Sequence, residues 1–188
     1  MYQRNCICKV NKRIFLIMAL LVCAFKMNAQ MMVIKSDLLR DVATMPNVHI
    51  DFVVGEKHSL GVGGGYCYKM WGKDIQIASF SPNFRYWFNG RPFTRQYVGV
   101  KAQISQYDIT WRNSVYDGAS LAVGMIFGHV FNLGKRLNLE LEGGLDALGY
   151  TQKEYYKSDI YDDYGDMNNS RGVMMCPHLS FSISYILK

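Results

Sequence analysis

Apolar and polar residues alternate with a period of two, and this feature constrains the fold more than any other. The stretch RLNLELEGGLDAL shows it most clearly. One face would carry Leu137, Leu139, Leu141, Gly143, Leu145 and Ala147, and the other Asn138, Glu140, Glu142, Gly144 and Asp146. A helix would mix these two sets, whereas a strand separates them. The pattern therefore predicts a strand of about ten residues with one apolar and one polar face.

The same alternation recurs along the chain. It covers residues 48–54, 59–70, 76–88, 97–107, 120–131 and 178–187, and a vaguer first strand lies near Val33 to Leu39. Together with the stretch above, these make eight strands. An even number of strands can close into a ring that leaves no unpaired edge, which is what lipid requires of a sheet. We therefore predict an all-β fold, an eight-stranded antiparallel transmembrane β-barrel with both termini in the periplasm.

The connections between the predicted strands differ in length. The predicted inner turns are Gly55–His58, Asn89–Arg95 and Asn132–Arg136, and the outer connections are Ala43–Asn47, Trp71–Asp74, Thr110–Gly118 and Thr151–Gly172. Two of the outer connections are the longest in the chain, which is typical of outer-membrane barrels. Pro82 and Pro177 fall inside predicted strands, and we expect a bulge or a strand end at each.

The two faces distinguish a membrane barrel from a soluble one. A soluble sandwich or lipocalin-like barrel is the alternative, and it would hide the apolar face inside. The polar face holds small residues and charges of both signs, which are Lys69, Arg85, Lys101, Glu140, Glu142 and Asp146. The apolar face carries Tyr66, Tyr68, Tyr86 and Tyr185 near strand ends, as in the aromatic girdles of membrane proteins. This arrangement favours the membrane barrel.

The lumen of such a barrel is narrow. Eight strands enclose little more than the space that side chains fill, so a pore is not expected. Charges in that space need partners. We predict that Arg85 and Lys101 bridge to Glu140 and Glu142 in a closed lumen.

The first 29 residues have the layout of a signal peptide. Four basic residues precede an apolar run from Ile14 to Phe25, and cleavage is expected after Ala29. An uncleaved anchor is the alternative. The predicted organisation is a signal peptide over residues 1–29 and an outer-membrane β-barrel domain over residues 30–188.

Removal of the signal peptide changes the charge balance and the cysteine count. Five of the 21 basic residues and none of the 15 acidic residues lie in it, which leaves 16 against 15. A nucleic-acid partner is therefore not expected. Cys67 and Cys176 alone remain of the five cysteines, too few for a disulfide scaffold or a metal site.

Three short motifs carry a resemblance to a known family. The first is KSDLLRD from Lys35 to Asp41, followed by Pro46 and Asn47; the second is Pro82 with Arg85 to Phe88; the third is Pro177 followed by Ser180 to Tyr185. The mature chain resembles a family of small outer-membrane β-barrel proteins of unknown function from Bacteroidota. Asp37 stands where that family usually has Asn. The resemblance implies a location in the cell outer membrane and brings no catalytic residues.

Several features of the chain could suggest chemistry. The stretch SLGVGGGYCYKMW holds Gly61, Gly63, Gly64 and Gly65, but a phosphate-binding loop needs a helix after its glycines, and here a strand continues. We therefore expect a wall whose small face is filled by large lumenal side chains such as Tyr107 or Trp87. An outer-leaflet lipid-modifying enzyme is the alternative function, with His49, His129 and His178 as its candidate bases. No cofactor, metal or catalytic residue is predicted.

The predicted outer loop from residue 151 to residue 172 is rich in tyrosine and aspartate. The candidate binding residues are Tyr155, Tyr156, Tyr161, Asp162, Asp163 and Tyr164. Acids bind calcium and tyrosines stack on sugars, so the loop is a candidate site for a surface protein, a glycan or calcium. We expect a monomer in contact with outer-membrane lipid, with a structural or surface-interaction role.

Overall fold

The computed structural model describes residues 31–111, 114–156 and 168–187, so the predicted signal peptide lies outside the described residues. The elements are β1 (Met32–Asp37), α1 (Leu38–Val42), β2 (Asn47–Val53), β3 (His58–Cys67), β4 (Ile75–Trp87), β5 (Arg95–Trp111), β6 (Ser114–Asn132), β7 (Leu137–Tyr156) and β8 (Asn168–Ile186). Within the described ranges, α1 is far too short to cross a membrane, and no other helix is long and apolar enough to do so.

The eight strands form one closed sheet. Each strand pairs antiparallel with the next, and β8 pairs with β1 to complete the ring. The start of β1 and the end of β8 lie side by side, since Leu187 donates its N–H to the carbonyl of Met32. We call this end of the barrel the lower rim and the opposite end the upper rim. The prediction of an all-β ring of eight antiparallel strands is confirmed.

The register of the ladders fixes the tilt of the strands. Val33 pairs with Asp51 on β2 and with Ile186 on β8. The offset around the ring is found by following the paired residues from Asp51 through β3 to β8. These are Gly61, Asn83, Lys101, Gly124, Asp146 and Cys176. Cys176 lies ten residues before Ile186, so the shear of the barrel is ten residues. This shear across eight strands corresponds to a tilt of roughly 40° and a radius of roughly 8 Å. Side chains can fill a lumen of that width.

The wall of the barrel has very different heights on its two sides. β1 and β2 have 6 and 7 residues, whereas β7 has 20. With the tilt above, the short strands rise roughly 15 to 17 Å and β7 roughly 50 Å. α1 lies above the short strands and packs against β8. Leu39 and Val42 of α1 are exposed, and Arg40 reaches across to Gln103 of β5 at 2.7 Å.

Side chains alternate between an apolar exterior and a polar interior. Exposed apolar residues occur on all eight strands and include Ile34, Val48, Leu60, Val62, Phe80, Phe84, Val100, Ile104, Leu121, Val123, Met125, Leu141, Leu145, Met175 and Leu179. The intervening positions are buried, and many are charged or polar. A soluble lipocalin-like barrel has the reverse arrangement. We call the exterior set the apolar belt.

The lower end of the lumen is closed by a floor of apolar and aromatic side chains. Val33, Trp87, Phe93, Tyr97, Ile126 and Val130 form this buried cluster. The ring centroids of Trp87 and Tyr97 are 4.7 Å apart, and those of Trp87 and Phe93 are 5.2 Å apart. The indole N–H of Trp87 donates to the hydroxyl of Ser59 at 2.9 Å. The floor is therefore packed, and its one indole donor is satisfied.

Two predictions about the upper connections are wrong. Much of the expected outer loop from Thr110 to Gly118 is strand, because β5 runs to Trp111 and β6 starts at Ser114. The expected loop from Thr151 to Gly172 is likewise strand up to Tyr156 and again from Asn168. The strands therefore continue well beyond the residues where their apolar exterior ends.

The two prolines inside strands do not produce bulges or strand ends, which corrects that prediction. Pro82 pairs with Val62, and the β4–β5 register is the same below and above it, from Asn83–Lys101 to Phe80–Ile104. Two pairs of that ladder are missing around the proline, since it has no N–H to donate. Pro177 pairs in unbroken register with Leu145 of β7.

Candidate functional site

The middle of the lumen holds a compact cluster of charged side chains, which we call the charge cluster. Its cations are Lys35, Arg85 and Lys101, and its anions are Asp51, Glu140 and Glu142. Five different strands supply these residues. All except Lys101, which is a tenth exposed, have side chains 4 % exposed or less. Three positive and three negative charges thus neutralise one another in a space largely closed to water.

Arg85 lies at the centre of the charge cluster. Its Nη1 is 3.0 Å from Oδ2 of Asp51 and 3.1 Å from Oε1 of Glu140, and its Nη2 is 2.6 Å from Oε2 of Glu142. Its guanidinium carbon lies 4.6 Å from the centre of the Tyr97 ring. The planar fork of arginine allows one side chain to serve three carboxylates and an aromatic face at the same time.

The remaining members complete the network. Lys35 Nζ is 2.6 Å from Asp51 and 3.3 Å from Glu140, and Lys101 Nζ is 3.5 Å from Glu142. The hydroxyl of Tyr97 lies within 2.6 Å of both Glu140 and Glu142. It donates its proton to one carboxylate and stays in contact with the other. These contacts link the floor to the strands above it.

The structure brings together four of the six residues that the sequence singled out for the lumen, namely Arg85, Lys101, Glu140 and Glu142. Asp146 lies at their edge, where its carboxylate is 3.5 Å from Nδ1 of His178. Lys69 is elsewhere. It follows β3 in an exposed turn and lies 3.8 Å from Asp74, because β3 ends at Cys67, before the predicted strand does.

Sequence reasoning missed Lys35, Asp51 and Tyr97 as members of the cluster. Lys35 was interpreted only as part of a motif, although it shares the inner face of β1 with Val33. Its charge at an inward position was the available signal, because a buried lysine requires an acid nearby. Asp51 carried the same signal on β2.

The first motif forms a hydrogen-bonded turn at the top of β1 and β2. Asp37 caps α1 by accepting from the N–H of Leu39 at 3.0 Å. Asn47 accepts from the N–H of Asp37 at 2.9 Å and donates to Asp41 at 3.0 Å. Ser36 donates to Asp41 at 2.6 Å. The motif residues therefore fix the turn over the short strands, and Lys35 of the same motif enters the charge cluster.

Gly61, Gly63 and Gly65 of β3 lie on the inner face, as the alternation predicted, but different side chains fill the space. A Cβ on Gly61 would clash with Asp51, and one on Gly63 would clash with the ring of His49. The prediction that Trp87 or Tyr107 fills this space is wrong. Tyr107 instead lies against Gly118, since the β5–β6 ladder sets these two residues opposite each other.

The candidate histidines and cysteines have simple surroundings. His178 Nε2 is 3.2 Å from Glu142 and 3.3 Å from Lys101, so it belongs to the edge of the charge cluster. His49 is buried against Gly63, and His129 packs on the Phe131 ring with centroids 4.4 Å apart. Ser180 pairs with Ser182 at 3.0 Å. Cys67 and Cys176 are free thiols. In the described part of the chain, no group of three or more His, Cys, Asp or Glu side chains is placed to hold a metal ion.

A cavity of about 580 Å³ lies in the upper half of the lumen, above the charge cluster. Its lining combines tyrosines, uncharged polar residues and apolar residues from β4 to β8. These are Ile77, Gln103, Ser105, Tyr107, Ile109, Tyr116, Ser120, Leu148, Tyr150, Gln152 and Met174. None of them is a carboxylate or a basic residue. We call this space the upper cavity.

The candidate loop residues are only partly described. Tyr155 belongs to the upper end of β7, and Tyr156 is the last residue of that strand. Tyr161, Asp162, Asp163 and Tyr164 lie outside the described residues.

Fold and lumen together define a class of protein, a closed eight-stranded β-barrel with an apolar exterior and a neutralised charge cluster inside. The chain belongs to a family described as protein of unknown function, DUF3575, whose match covers residues 15–187. Neither a curated protein nor a solved structure matches the chain.

Proposed function

We propose that the protein is an outer-membrane β-barrel with both termini in the periplasm and a structural or surface-interaction role. The apolar belt carries this proposal. Large apolar side chains such as Met125 and Leu145 are 66 % and 58 % exposed, which would be costly in water and is favourable in lipid. The charge cluster, in contrast, is inside the barrel.

The boundaries of the belt support the same placement. On β5 the outward residues are apolar from Val98 to Ile104 and then become Gln106 and Asp108. On β7 they are apolar up to Ala147 and then become Thr151 and Lys153. With the strand tilt, the belt spans roughly 25 Å along the barrel axis, which is the height expected for an outer-membrane barrel.

The filled lumen supports a role other than the conduction of ions or solutes. The aromatic floor and the charge cluster occupy successive levels of a channel whose radius is only roughly 8 Å. In the proposed orientation these levels separate the periplasm from the upper cavity. The surface-exposed parts that remain for a partner are the upper ends of β5 to β8 and their connections.

Fractionation of the native host tests the location. The expected result is recovery in outer-membrane fractions, with faster migration of the unheated protein than of the boiled protein on a gel, because closed barrels resist detergent until heated. A variant lacking residues 1–29 is the control and should remain in the cytoplasm. Recovery of the full-length protein in a soluble fraction would overturn the proposal.

A second experiment addresses lipid-modifying chemistry. In the described residues His178 contacts Glu142, Asp146 and Lys101, and Ser180 bonds to Ser182, so these groups form no serine–histidine pair. We therefore expect that deletion of the gene leaves the mass spectrum of lipid A unchanged. A changed spectrum that His178→Ala reproduces would favour an enzyme instead.

A further inference from the structure

The upper cavity has the size and composition of a small-molecule site. Its volume of about 580 Å³ falls within the range of about 300 to 1,000 Å³ typical of ligand pockets. Such pockets are mostly apolar and aromatic, with a few polar groups that orient the ligand. The charge cluster below is already neutralised, so the chemistry of the cavity is set by its own lining.

The lining side chains are uncharged, and the guanidinium of Arg40, which donates to Gln103 at 2.7 Å, lies 3.8 Å from the carboxylate of Asp37. We therefore expect the cavity to favour uncharged ligands. Tyr107 and Tyr150 offer aromatic faces and hydroxyls, while Gln103 and Gln152 offer amides that both donate and accept. Some of these groups already bond to one another, since Tyr107 lies 3.3 Å from Gln152 and Gln103 donates to Ser105 at 3.1 Å. Neutral donors and acceptors beside aromatic faces suit the hydroxyls and ring faces of a sugar.

The lining also includes apolar side chains. Leu148 and Met174 face the lumen there from β7 and β8. A ligand that fills the whole cavity would therefore combine a hydroxylated ring with an apolar group.

The unequal height of the barrel wall gives a ligand a route into the upper cavity. The cavity is lined by the tall strands β4 to β8, and α1, which follows the short strand β1, reaches its edge where Arg40 bonds to Gln103. α1 covers the short strands, and its outward residues Leu39 and Val42 are exposed. Among the described residues, no strand closes the cavity above α1 on the side of the short strands.

We propose that the upper cavity binds an uncharged amphipathic glycoside, a sugar ring joined to an apolar or aromatic group. The sugar hydroxyls bond to the glutamine and tyrosine side chains, and the apolar group packs against Leu148 and Met174. In the outer membrane, such a ligand would arrive from the cell surface or the outer leaflet. That source rests on the proposed location, but the binding does not.

The test uses full mature protein in lipid nanodiscs and the fluorescent probe 4-methylumbelliferyl glucoside. Ser120→Trp would fill the cavity, because Ser120 faces inward between Ser105 and Tyr150. Ala119→Trp is the matched control, since Ala119 is the neighbouring residue and is exposed on the exterior. We expect saturable binding to the wild type and to Ala119→Trp, and at least tenfold weaker binding to Ser120→Trp.

A charged probe tests the ligand class. 4-Methylumbelliferyl glucuronide differs by a carboxylate on the sugar and should bind at least tenfold more weakly than the glucoside. Equal binding of both probes, equal binding by both tryptophan variants, or binding no greater than to empty nanodiscs would overturn the proposal.

Met174→Trp and Met175→Trp form a second pair in case Ser120→Trp does not fold. Met174 faces the cavity, and Met175 is exposed on the exterior. Migration of the unheated protein on a gel reports folding independently of binding. A folded barrel that is found in the outer membrane and binds no probe would disprove the ligand site alone. Probe binding by a protein found outside the outer membrane would disprove the location alone.

Discussion

At the scale of single residues, Arg85 holds the charge cluster together because it contacts all three carboxylates. Replacing it with an apolar residue removes the one cation that all three carboxylates share, and leaves Lys35 and Lys101 beside them. Buried charges that lose a partner are strongly destabilising, whereas the intact pair contributes less than its removal costs. Arg85 therefore matters because it neutralises three buried carboxylates, and not because any one of its bonds is strong.

We expect Arg85→Met to lower the free energy of unfolding by roughly 3 to 5 kcal/mol. Urea unfolding of the refolded barrel in lipid vesicles, followed by tryptophan fluorescence, measures the change. Arg136→Met is the control, because Arg136 is exposed in the lower turn between β6 and β7. Equal stability of the two variants would show that Arg85 does not carry the network.

Neighbouring glycines of β3 provide a second matched pair. Gly63 faces His49 in the lumen, whereas a Cβ on Gly64 would meet only the carbonyl of Ser79 at an ordinary 3.6 Å. Gly63→Leu should therefore impair folding, since overpacking a filled interior costs roughly 1 to 3 kcal/mol or more. Gly64→Leu should fold normally.

The fraction of heat-modifiable protein on a gel after refolding gives the readout for both glycine variants. A second substitution, His49→Ala, should partly restore Gly63→Leu by vacating the contact. If both glycine variants fold alike, then the space inside the lumen does not restrict the size of the side chain at residue 63.

At the scale of single strands, the alternation of apolar and polar residues reverses along β5. Within the belt of β5, Val100 and Ile104 face out and Lys101 faces in. Above it, Gln106 and Asp108 face out, and Tyr107 and Ile109 line the upper cavity. The exterior meets lipid below this point and water above it in the proposed placement.

This reversal explains why the sequence predicts strand faces well and strand ends poorly. The inward position of Arg85 and Glu142 follows from the period of two alone, and their opposite charges predict that they pair. The upper parts of β5 to β8 do not continue the apolar-outward pattern, so they resemble loops. The alternation does not predict Lys35 as a lumen residue, because β1 has only six residues and these are too few to define an inner face.

An arginine substituted on the exterior tests whether the apolar belt contacts lipid or water. Leu145→Arg puts an arginine in the middle of the belt, where lipid imposes a cost of roughly 2 to 4 kcal/mol. Thr151→Arg, on the same strand and face but above the belt, should cost at most about 1 kcal/mol. Unfolding in lipid vesicles measures both. Similar small costs would indicate that the belt does not contact lipid.

A pair of aspartates above the belt predicts a pH effect. Burial and then the charge of Asp117, opposite Asp108 in the β5–β6 ladder, raise the pKa of Asp108. Because the folded-state pKa lies above that of the unfolded chain, Asp108 favours folding most at low pH. This contribution is lost as pH rises through the raised pKa.

Asp117→Asn should move the pKa of Asp108 down toward the ordinary value for aspartate. Carboxyl ¹³C chemical shifts measured against pH give the titration directly. Glu56→Gln, in the turn at the opposite rim, should leave the pKa unchanged. An unaltered Asp108 titration in Asp117→Asn would mean that burial alone sets the shift.

At the scale of the whole molecule, the lumen is divided into three levels, which are the aromatic floor, the charge cluster and the upper cavity. The lower two consist of packed side chains, and the buried charges among them pair with one another. We therefore expect no discrete current steps when the purified protein is added to planar lipid bilayers. A sixteen-stranded porin under the same conditions is the positive control, and steps whose number rises with protein concentration would contradict a closed lumen.

The short first strand also determines how the ring is fastened. β1 is joined to β2 by four register pairs and to β8 by five, whereas β7 and β8 share eighteen. Lys35 reinforces this narrow seam, because its ammonium joins β1 to Asp51 of β2 and to Glu140 of β7. Joining the two ends of the chain also carries the largest loop-closure cost. We therefore expect β1 to pair last when the barrel forms and to detach first when the barrel unfolds, with Lys35 holding it in place.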